Sequence, residues 1–179
     1  MGLSSSKPVR RQHKYVSILG HSNSGKSHFL SVVCGDGSPN DETRHPTAGY
    51  YCETLCHAGV DIDFVEHGWT TVAMGCYGLW RERVDMLMWF IDEHASRTQV
   101  QLARSHLLGF VQEHPGIGGL CIILNRRLNA SIEGIAWNQL HALCDVDALH
   151  GLFARGVFLS ELSYEDDQAP LLFLDWIIE

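Results

Sequence analysis

Residues 20–27 read Gly20-His21-Ser22-Asn23-Ser24-Gly25-Lys26-Ser27, which is the pattern G-x-x-x-x-G-K-S in full. Residues 15–19 before it are rich in β-branched and aromatic side chains and predict a strand, and residues 28–33 after it predict a helix. A glycine-rich loop in this context turns successive backbone N–H groups inward, and the helix N-terminus adds partial positive charge. The motif therefore predicts a phosphate-binding loop and an α/β fold of the P-loop type.

The residue types in this loop assign roles toward a nucleotide. Lys26 is placed to reach the β- and γ-phosphates, and the Ser27 hydroxyl is placed to ligate Mg²⁺. We predict that the nucleotide-binding residues of the loop and the first helical turn are Gly20, Ser22, Asn23, Ser24, Gly25, Lys26, Ser27 and His28. The motif leaves the base of the nucleotide open.

Length and composition exclude several classes of protein. A chain of 179 residues, 45% of them hydrophobic, is long enough for one domain with an extensive core. The longest apolar run, residues 86–91, is strand-sized and far below the roughly 20 residues of a membrane span. Six cysteines are too sparse for a disulfide scaffold, and no secretory signal precedes them. We therefore predict a cytosolic protein.

Charge is distributed unevenly along the chain, whose net charge is −8. The first 14 residues contain no acid and four basic side chains, namely Lys7, Arg10, Arg11 and Lys14. All 21 Asp and Glu residues follow, so an arm of +4 precedes a body of −12. An acidic body argues against a nucleic-acid-binding surface, whereas a short basic arm suits an anionic partner.

The arm also carries a lipidation pattern. The chain begins Met1-Gly2-Leu3-Ser4-Ser5-Ser6, which fits N-myristoylation of Gly2 after removal of Met1. One myristoyl chain holds a protein on a bilayer only reversibly, and a basic patch supplies the second signal. We predict that Gly2 and the four basic residues bind a membrane surface, and we divide the chain into an arm, 1–14, and one domain, 15–179.

Downstream of the loop, Arg44-His45-Pro46-Thr47-Ala48-Gly49-Tyr50 contains Pro-Thr-x-Gly-aromatic, with Thr47 lying 21 residues after Lys26. With the N-terminal glycine and the G-K-S loop, this stretch resembles the Arf and Arf-like small GTPases. The resemblance implies a mostly parallel six-stranded sheet flanked by helices, binding of GTP or GDP with Mg²⁺, and a monomer. It also implies that Thr47 ligates Mg²⁺ and senses the γ-phosphate.

The second switch of that family, Asp-x-Gly-Gly-Gln, falls on Glu66-His67-Gly68-Trp69-Thr70, after a predicted strand at residues 60–65. By the resemblance, Glu66 holds Mg²⁺ through water, Gly68 lies at the nucleotide, and Thr70 stands where the catalytic glutamine orients the attacking water. Trp69 replaces the glycine whose N–H contacts the γ-phosphate, and Thr is too short to position water as Gln does. We therefore expect weak or partner-dependent GTP hydrolysis.

A competing register assigns the acid of this switch to Asp63 and puts His67 near the position of the glutamine. It shortens the interval from Thr47 to 16 residues, whereas Glu66 lies 19 residues beyond Thr47, as the family spacing requires. We rank the Glu66 register first.

The base-recognition motif Asn-Lys-x-Asp falls on Asn125-Arg126-Arg127-Leu128, after a buried strand at residues 120–124. By the resemblance, Asn125 and Arg126 contact the nucleotide, but Leu128 cannot accept the hydrogen bonds of guanine as Asp does. After a last strand at residues 156–159, Ser160 and Glu161 fall at the second base-contact loop. Predicted helices at 98–113, 133–144 and 171–178 complete the fold, and Leu174-Asp175-Trp176-Ile177 resembles the family's C-terminal Leu-Asp-Trp-Leu.

Three functions remain open from the sequence. The first is a membrane-recruited GTP/GDP switch that is cytoplasmic, reversibly membrane-associated, and contacts effectors and regulators through residues 44–54 and 66–81. The second is a pseudo-GTPase interaction module with little nucleotide cycling, which Trp69, Thr70 and Leu128 favour. The third is a P-loop enzyme that uses ATP, which the loss of the base-reading Asp permits.

Overall fold

The computed structural model describes residues 12–35, 47–69, 83–126, 134–163 and 169–179. Its strands are β1 (Gln12–Gly20), β2 (Tyr50–His57), β3 (Val60–His67), β4 (Met86–Asp92), β5 (Gly119–Asn125) and β6 (Val157–Leu162). Its helices are α1 (Lys26–Cys34), α2 (Arg97–Glu113), α3 (Trp137–Cys144), α4 (Val146–His150) and α5 (Ala169–Ile178).

The described strands form one six-stranded sheet in the order β2-β3-β1-β4-β5-β6. All neighbouring strands are parallel except β2 and β3, which form an antiparallel hairpin. Because the parallel strands run the same way, their carboxyl ends meet at one edge. After β1 the chain adds β2 and β3 on one side of it and then crosses to add β4 on the other side. A crevice for ligands is therefore expected between β1 and β4, where the strand order reverses. The predicted α/β fold, a mostly parallel sheet flanked by helices, is confirmed.

Both faces of the sheet are covered by apolar clusters, as the continuous apolarity of β4 predicts. Alternate residues of β4 pack on opposite faces. Leu87, Trp89 and Ile91 join the cluster that contains residues of α2, α3 and α4. Met86, Met88 and Phe90 join the cluster that contains residues of α1 and α5.

The N-terminal boundary of the domain differs from the sequence prediction. Strand β1 begins at Gln12, so Lys14, which we assigned to the arm, belongs to the sheet. The polar residues Gln12, His13 and Lys14 extend the strand because β3 offers them partners from Val60 to Ile62. Of the four basic residues of the predicted arm, Lys7, Arg10 and Arg11 precede the strand.

Two further boundaries differ, and one helix was not predicted. Strand β6 runs to Leu162, so Ser160 and Glu161 lie within the strand and not in the loop after it. Helix α3 begins at Trp137, and the short α4 was not predicted from the sequence. Polar residues are tolerated in β6 because it is an edge strand with mostly half-buried side chains.

None of the described helices is long and apolar enough to cross a membrane. None of the five described cysteines forms a disulfide.

Candidate nucleotide-binding site

The phosphate loop lies between the carboxyl end of β1 and the first residue of α1, Lys26. Gly25 has a positive φ of 94°, and a Cβ at this position would overlap the side-chain amide of Asn125. Asn23 is also left-handed, with φ of 63°. The glycine of the motif is therefore required by backbone conformation and by the close approach of β5.

Lys26 is buried within this loop, with 5% of its surface exposed. Its Nζ donates hydrogen bonds to the carbonyl oxygens of Gly20, at 3.0 Å, and His21, at 2.9 Å. Burial lowers the pKa of Lys26 to about 8, and nearby Glu66 acts in the opposite direction. The ammonium group is thus held at the centre of the loop, in an environment that favours an additional anionic partner.

Ser27, Thr47 and Glu66 meet beside the loop. The hydroxyl of Ser27 donates to Oε1 of Glu66 at 2.8 Å, and the hydroxyl of Thr47 donates to the same oxygen at 2.9 Å. The two hydroxyl oxygens lie 3.5 Å apart. Ser27 belongs to α1, Thr47 to the segment before β2, and Glu66 to β3. The fold therefore brings together the three predicted metal-site residues.

The chemistry of this cluster fits Mg²⁺. Glu66 is 2% exposed, and its second oxygen, Oε2, is buried with no hydrogen-bond partner among the described residues. A buried carboxylate oxygen without a partner is costly unless a cation or water satisfies it. Two hydroxyl groups and a carboxylate are ligand types that Mg²⁺ takes, directly or through water.

Asp63, the acid of the competing register, lies elsewhere. It contacts Nε2 of His13 at 2.5 Å and accepts a hydrogen bond from the Thr54 hydroxyl at 2.6 Å. Both contacts are solvent-exposed and lie on β1 and β2. Glu66, and not Asp63, is the acid that the fold brings to Ser27 and Thr47.

Gly68 joins the two switch segments through its backbone. Its N–H donates to the carbonyl oxygen of Gly49 at 2.9 Å. A Cβ at position 68 would overlap the carbonyl oxygen of Thr47, so the close approach requires glycine. The start of the second switch is thereby fixed against the end of the first.

Trp69 directs its side chain toward α2 and the phosphate loop. Its ring centroid lies 4.5 Å from that of His21, with the planes tilted by 41°, and 5.2 Å from that of His106 in an edge-on arrangement. The half-buried indole also packs against the apolar cluster between the sheet and α2. Burial lowers the pKa of His106, which favours its neutral form at pH 7.

His67 is a buried residue of the second switch that sequence reasoning did not single out as structural. It is 1% exposed, its Nε2 lies 3.2 Å from the Ser17 hydroxyl, and its ring contacts Tyr50 and Phe110 edge-on. Burial, with added repulsion from His114 and Lys26, lowers its pKa to about 3. The sequence signal for its burial was the alternation of side chains along β3, which places His67 on the same face as Val65.

At the base end of the site, Asn125 and Arg126 have different surroundings. Asn125 is 7% exposed, lies against Gly25, and has a buried Oδ1 without a hydrogen-bond partner among the described residues. Arg126 contacts Glu161 at 2.6 Å and Glu93 at 3.3 Å. The hydrogen bond to Glu161 raises the pKa of Arg126, with a smaller contribution from Glu93. Asn125 thus lies against the phosphate loop, while Arg126 is held by two carboxylates.

The loop that follows β6 begins at Ser163, next to Leu162, which is paired with Asn125. Ser160 and Glu161, the predicted base contacts, lie near the carboxyl end of β6, just before this loop. The predicted residues that lie outside the described part of the chain are Gly2, Lys7, Arg10, Arg11, Thr70 and Leu128. The switch segments are described at residues 47–54 and 66–69.

A cavity of about 260 Å³ opens beside the loop, between the carboxyl ends of β1 and β4. Its lining includes Ser22 and Asn23 of the predicted site and four residues that the sequence did not indicate, namely Asp92, His94, Ala95 and Gln99. The position agrees with the crevice expected where the strand order reverses. Ser24 and His28, also predicted from the motif, lie in the buried part of the loop and in the first turn of α1.

The chain was compared with known proteins. It is 25% identical over 176 residues to ADP-ribosylation factor-like protein 2 of Drosophila melanogaster, covering 96% of this chain and 90% of that protein. Its fold matches the Arl6 BBS3 small GTPase from Trypanosoma brucei, solved with the nucleotide analogue GppNp, with a TM-score of 0.65 and 19% identity over 92% of this chain and 96% of that one. No family model matches the chain. The sequence relative confirms the resemblance to the Arf-like proteins, and the structure confirms the small-GTPase fold.

Proposed function

We propose that this chain, which resembles the Arf-like small GTPases, is a GTP/GDP-binding switch with Mg²⁺ as its cofactor and with weak or partner-dependent hydrolysis. The observation that carries the proposal is the meeting of Ser27, Thr47 and Glu66 beside the buried ammonium of Lys26. Mg²⁺, when bound, would be held by these oxygen-bearing side chains and would neutralise phosphate charge. The oxygen atoms of this cluster and the positive charge of the Lys26 ammonium group suit a nucleoside triphosphate with its metal ion.

The roles of the chain's own residues follow from their positions. The ammonium group of Lys26 would contact the phosphates, the hydroxyl oxygens of Ser27 and Thr47 would hold Mg²⁺, and Glu66 would hold it through water. Gly68 joins the start of the second switch to the end of the first, through its hydrogen bond to Gly49 and its close approach to Thr47. The interaction partners proposed are effector and regulatory proteins that contact residues 44–54 and 66–81.

Slow hydrolysis follows from the residues of the second switch. Water attack requires a side chain that orients the nucleophile, and Thr70 is too short for the role that Gln plays. We therefore propose that a partner supplies any efficient hydrolysis.

Membrane recruitment is proposed from the arm. Gly2 fits the acylation pattern, and Lys7, Arg10 and Arg11 lie between it and the first residue of β1. Each basic residue near an anionic leaflet contributes about 1 kcal/mol, which supplements a single acyl chain. Strand β1 starts at the end of the sheet opposite the phosphate loop, so the nucleotide site can stay accessible on a bound protein.

A pseudo-GTPase interaction module is the second candidate. It is favoured by Arg126, whose guanidinium group is engaged by Glu93 and Glu161, and by Trp69, whose side chain occupies a position that a glycine leaves open. In this case the fold would serve as a protein-binding surface and nucleotide would be a structural ligand or dispensable.

Nucleotide content distinguishes these functions. The protein is purified without added nucleotide, heated, and the supernatant is separated by anion exchange; we expect GTP or GDP in near-equimolar amount. Labelled GTP is then competed with unlabelled GTP, GDP and ATP, with Mg²⁺ or with EDTA. Absence of bound nucleotide and no affinity up to millimolar concentration would support the interaction module, and effective competition by ATP would support an ATP-using enzyme.

A further inference from the structure

The side chain of Trp69, at the start of the second switch, contacts both the phosphate loop and α2. Its ring lies against His21 of the phosphate loop at 4.5 Å and against His106 of α2 at 5.2 Å. It also packs on the apolar cluster between α2 and the sheet. The side chain is therefore an anchor between a loop, a helix and the start of the second switch.

The backbone next to Trp69 is held from the opposite side. The N–H of Gly68 donates to Gly49 at 2.9 Å, and Gly68 lies so close to Thr47 that no side chain fits. The start of the second switch is thus fixed by its backbone to the first switch and by its indole to α2. All of these contacts are made between protein groups, without a nucleotide.

A glycine at position 69, as in the Arf-like resemblance, has no side chain with which to hold this segment. Its order then depends on the contact between its N–H and the γ-phosphate. A ligand can shift a conformational equilibrium only by its difference in affinity for the two states. When the side chain of residue 69 already stabilises the ordered state of this segment, binding of the γ-phosphate can increase the population of that state only slightly.

We propose that Trp69 is a positioning residue that holds the start of the second switch against His21 and His106, so that the order of this segment depends little on the γ-phosphate. The part of this inference that concerns the γ-phosphate rests on the proposed nucleotide-binding function. The anchoring by Trp69 is a property of the protein alone. The segment bearing Glu66 and Gly68 is consequently presented to a partner in nearly the same form with GDP and with GTP.

The test is amide hydrogen exchange of Gly68 and Trp69 in the full chain, measured without nucleotide, with GDP, and with a non-hydrolysable GTP analogue, each with Mg²⁺. The variants are Trp69→Ala and His106→Ala, and the matched control is Trp137→Ala, which removes an exposed tryptophan of α3. His106→Ala leaves residue 69 unchanged and so remains informative if Trp69→Ala fails to fold.

We expect similar Gly68 exchange in all three states of the wild type. Trp69→Ala and His106→Ala should accelerate it by about tenfold or more without nucleotide, a scale typical of local opening, and the GTP analogue should restore protection. Trp137→Ala should behave as the wild type. Unchanged exchange in His106→Ala, or a wild type protected by the GTP analogue but not by GDP, would overturn the proposal. A wild type that binds neither nucleotide would refute the proposed function, while the nucleotide-free comparison would still decide the role of Trp69.

Discussion

Ser27 Oγ donates a hydrogen bond to Oε1 of Glu66 across 2.8 Å, although the two residues are 39 positions apart in the sequence. The contact joins the helix after the phosphate loop to the end of β3. It places a carboxylate beside the phosphate loop, and the second oxygen of that carboxylate is buried with no hydrogen-bond partner in the described part of the chain. The acid of the second switch is therefore tied to the phosphate loop by geometry as well as by spacing.

The first prediction concerns this acid. Glu66→Gln removes the charge but keeps the size of the side chain, so Mg²⁺ loses its nearby carboxylate. Since a residue that holds a metal-bound water contributes roughly 10–100-fold to metal affinity, nucleotide release in Mg²⁺ should accelerate toward the rate in EDTA. Release of a fluorescent GDP analogue, measured over a Mg²⁺ titration, checks this.

Asp63→Asn is the matched control. It removes a carboxylate from the same strand, but this carboxylate contacts His13 and Thr54 and not the cluster of Ser27, Thr47 and Glu66. We expect its Mg²⁺ dependence to match that of the wild type. A large effect of Asp63→Asn with none of Glu66→Gln would reverse the assignment of the switch acid.

The second prediction concerns Lys26. Lys26→Ala should abolish nucleotide retention, because hydrogen bonds between charged partners are among the strongest that a protein makes. The same change should leave the free energy of unfolding at pH 7 little altered, since burial already disfavours the charged amine, as its lowered pKa shows. Calorimetric binding and denaturant unfolding on one preparation measure both effects. Retention equal to that of the wild type would disprove the phosphate-loop assignment.

The sequence predicted the order of the elements because its strongest signals are local. The G-K-S loop and the apolar runs of β4 and β5 each identify an element without knowledge of its neighbours. The ends of β1 and β6 were placed wrongly because strand ends depend on partners. Gln12 and Glu161 are polar, and only the register with β3 and β5 shows that they are paired.

The intervals between motifs predicted which residues meet at the site, but they could not predict the direction in which a side chain points. Thr47 was located by its interval from Lys26 and Glu66 by its interval from Thr47, and the fold brings the two residues together. Spacing does not tell whether Trp69 faces the nucleotide or the core. It also does not reveal that Arg126 is engaged by Glu93, a contact between two loops at the carboxyl edge of the sheet.

The third prediction concerns the arm. Gly2→Ala blocks acylation, and the protein should move from the membrane fraction to the cytosol in cells. Arg10→Gln with Arg11→Gln should weaken binding of the acylated protein to anionic vesicles by about 1 kcal/mol for each charge, with less effect at high salt. Sedimentation with vesicles of defined anionic lipid content measures the second effect. Unchanged partitioning of Gly2→Ala would refute the lipid anchor.

The fourth prediction concerns the pH dependence of stability. His67 has a folded pKa of about 3 against an ordinary value of 6.5, because burial disfavours its charged form. Between these values the unfolded chain binds a proton at this site and the folded chain does not. The free energy of unfolding therefore rises with pH across this window, and the contribution of His67 is lost at about 1.4 kcal/mol per pH unit as the pH falls.

His67→Leu removes this linkage and keeps an apolar side chain of similar volume between Tyr50 and Phe110. The variant also leaves the Ser17 hydroxyl without its partner, which costs about 1–3 kcal/mol, but this loss is a constant offset and does not change the slope. Urea unfolding between pH 4.5 and 6.5 should therefore show a shallower pH dependence for His67→Leu than for the wild type. His141→Gln, at an exposed position of α3, is the control and should keep the wild-type slope. Parallel slopes for His67→Leu and the wild type would mean that His67 takes up its proton in the folded protein, and so that its burial does not exclude the charged form.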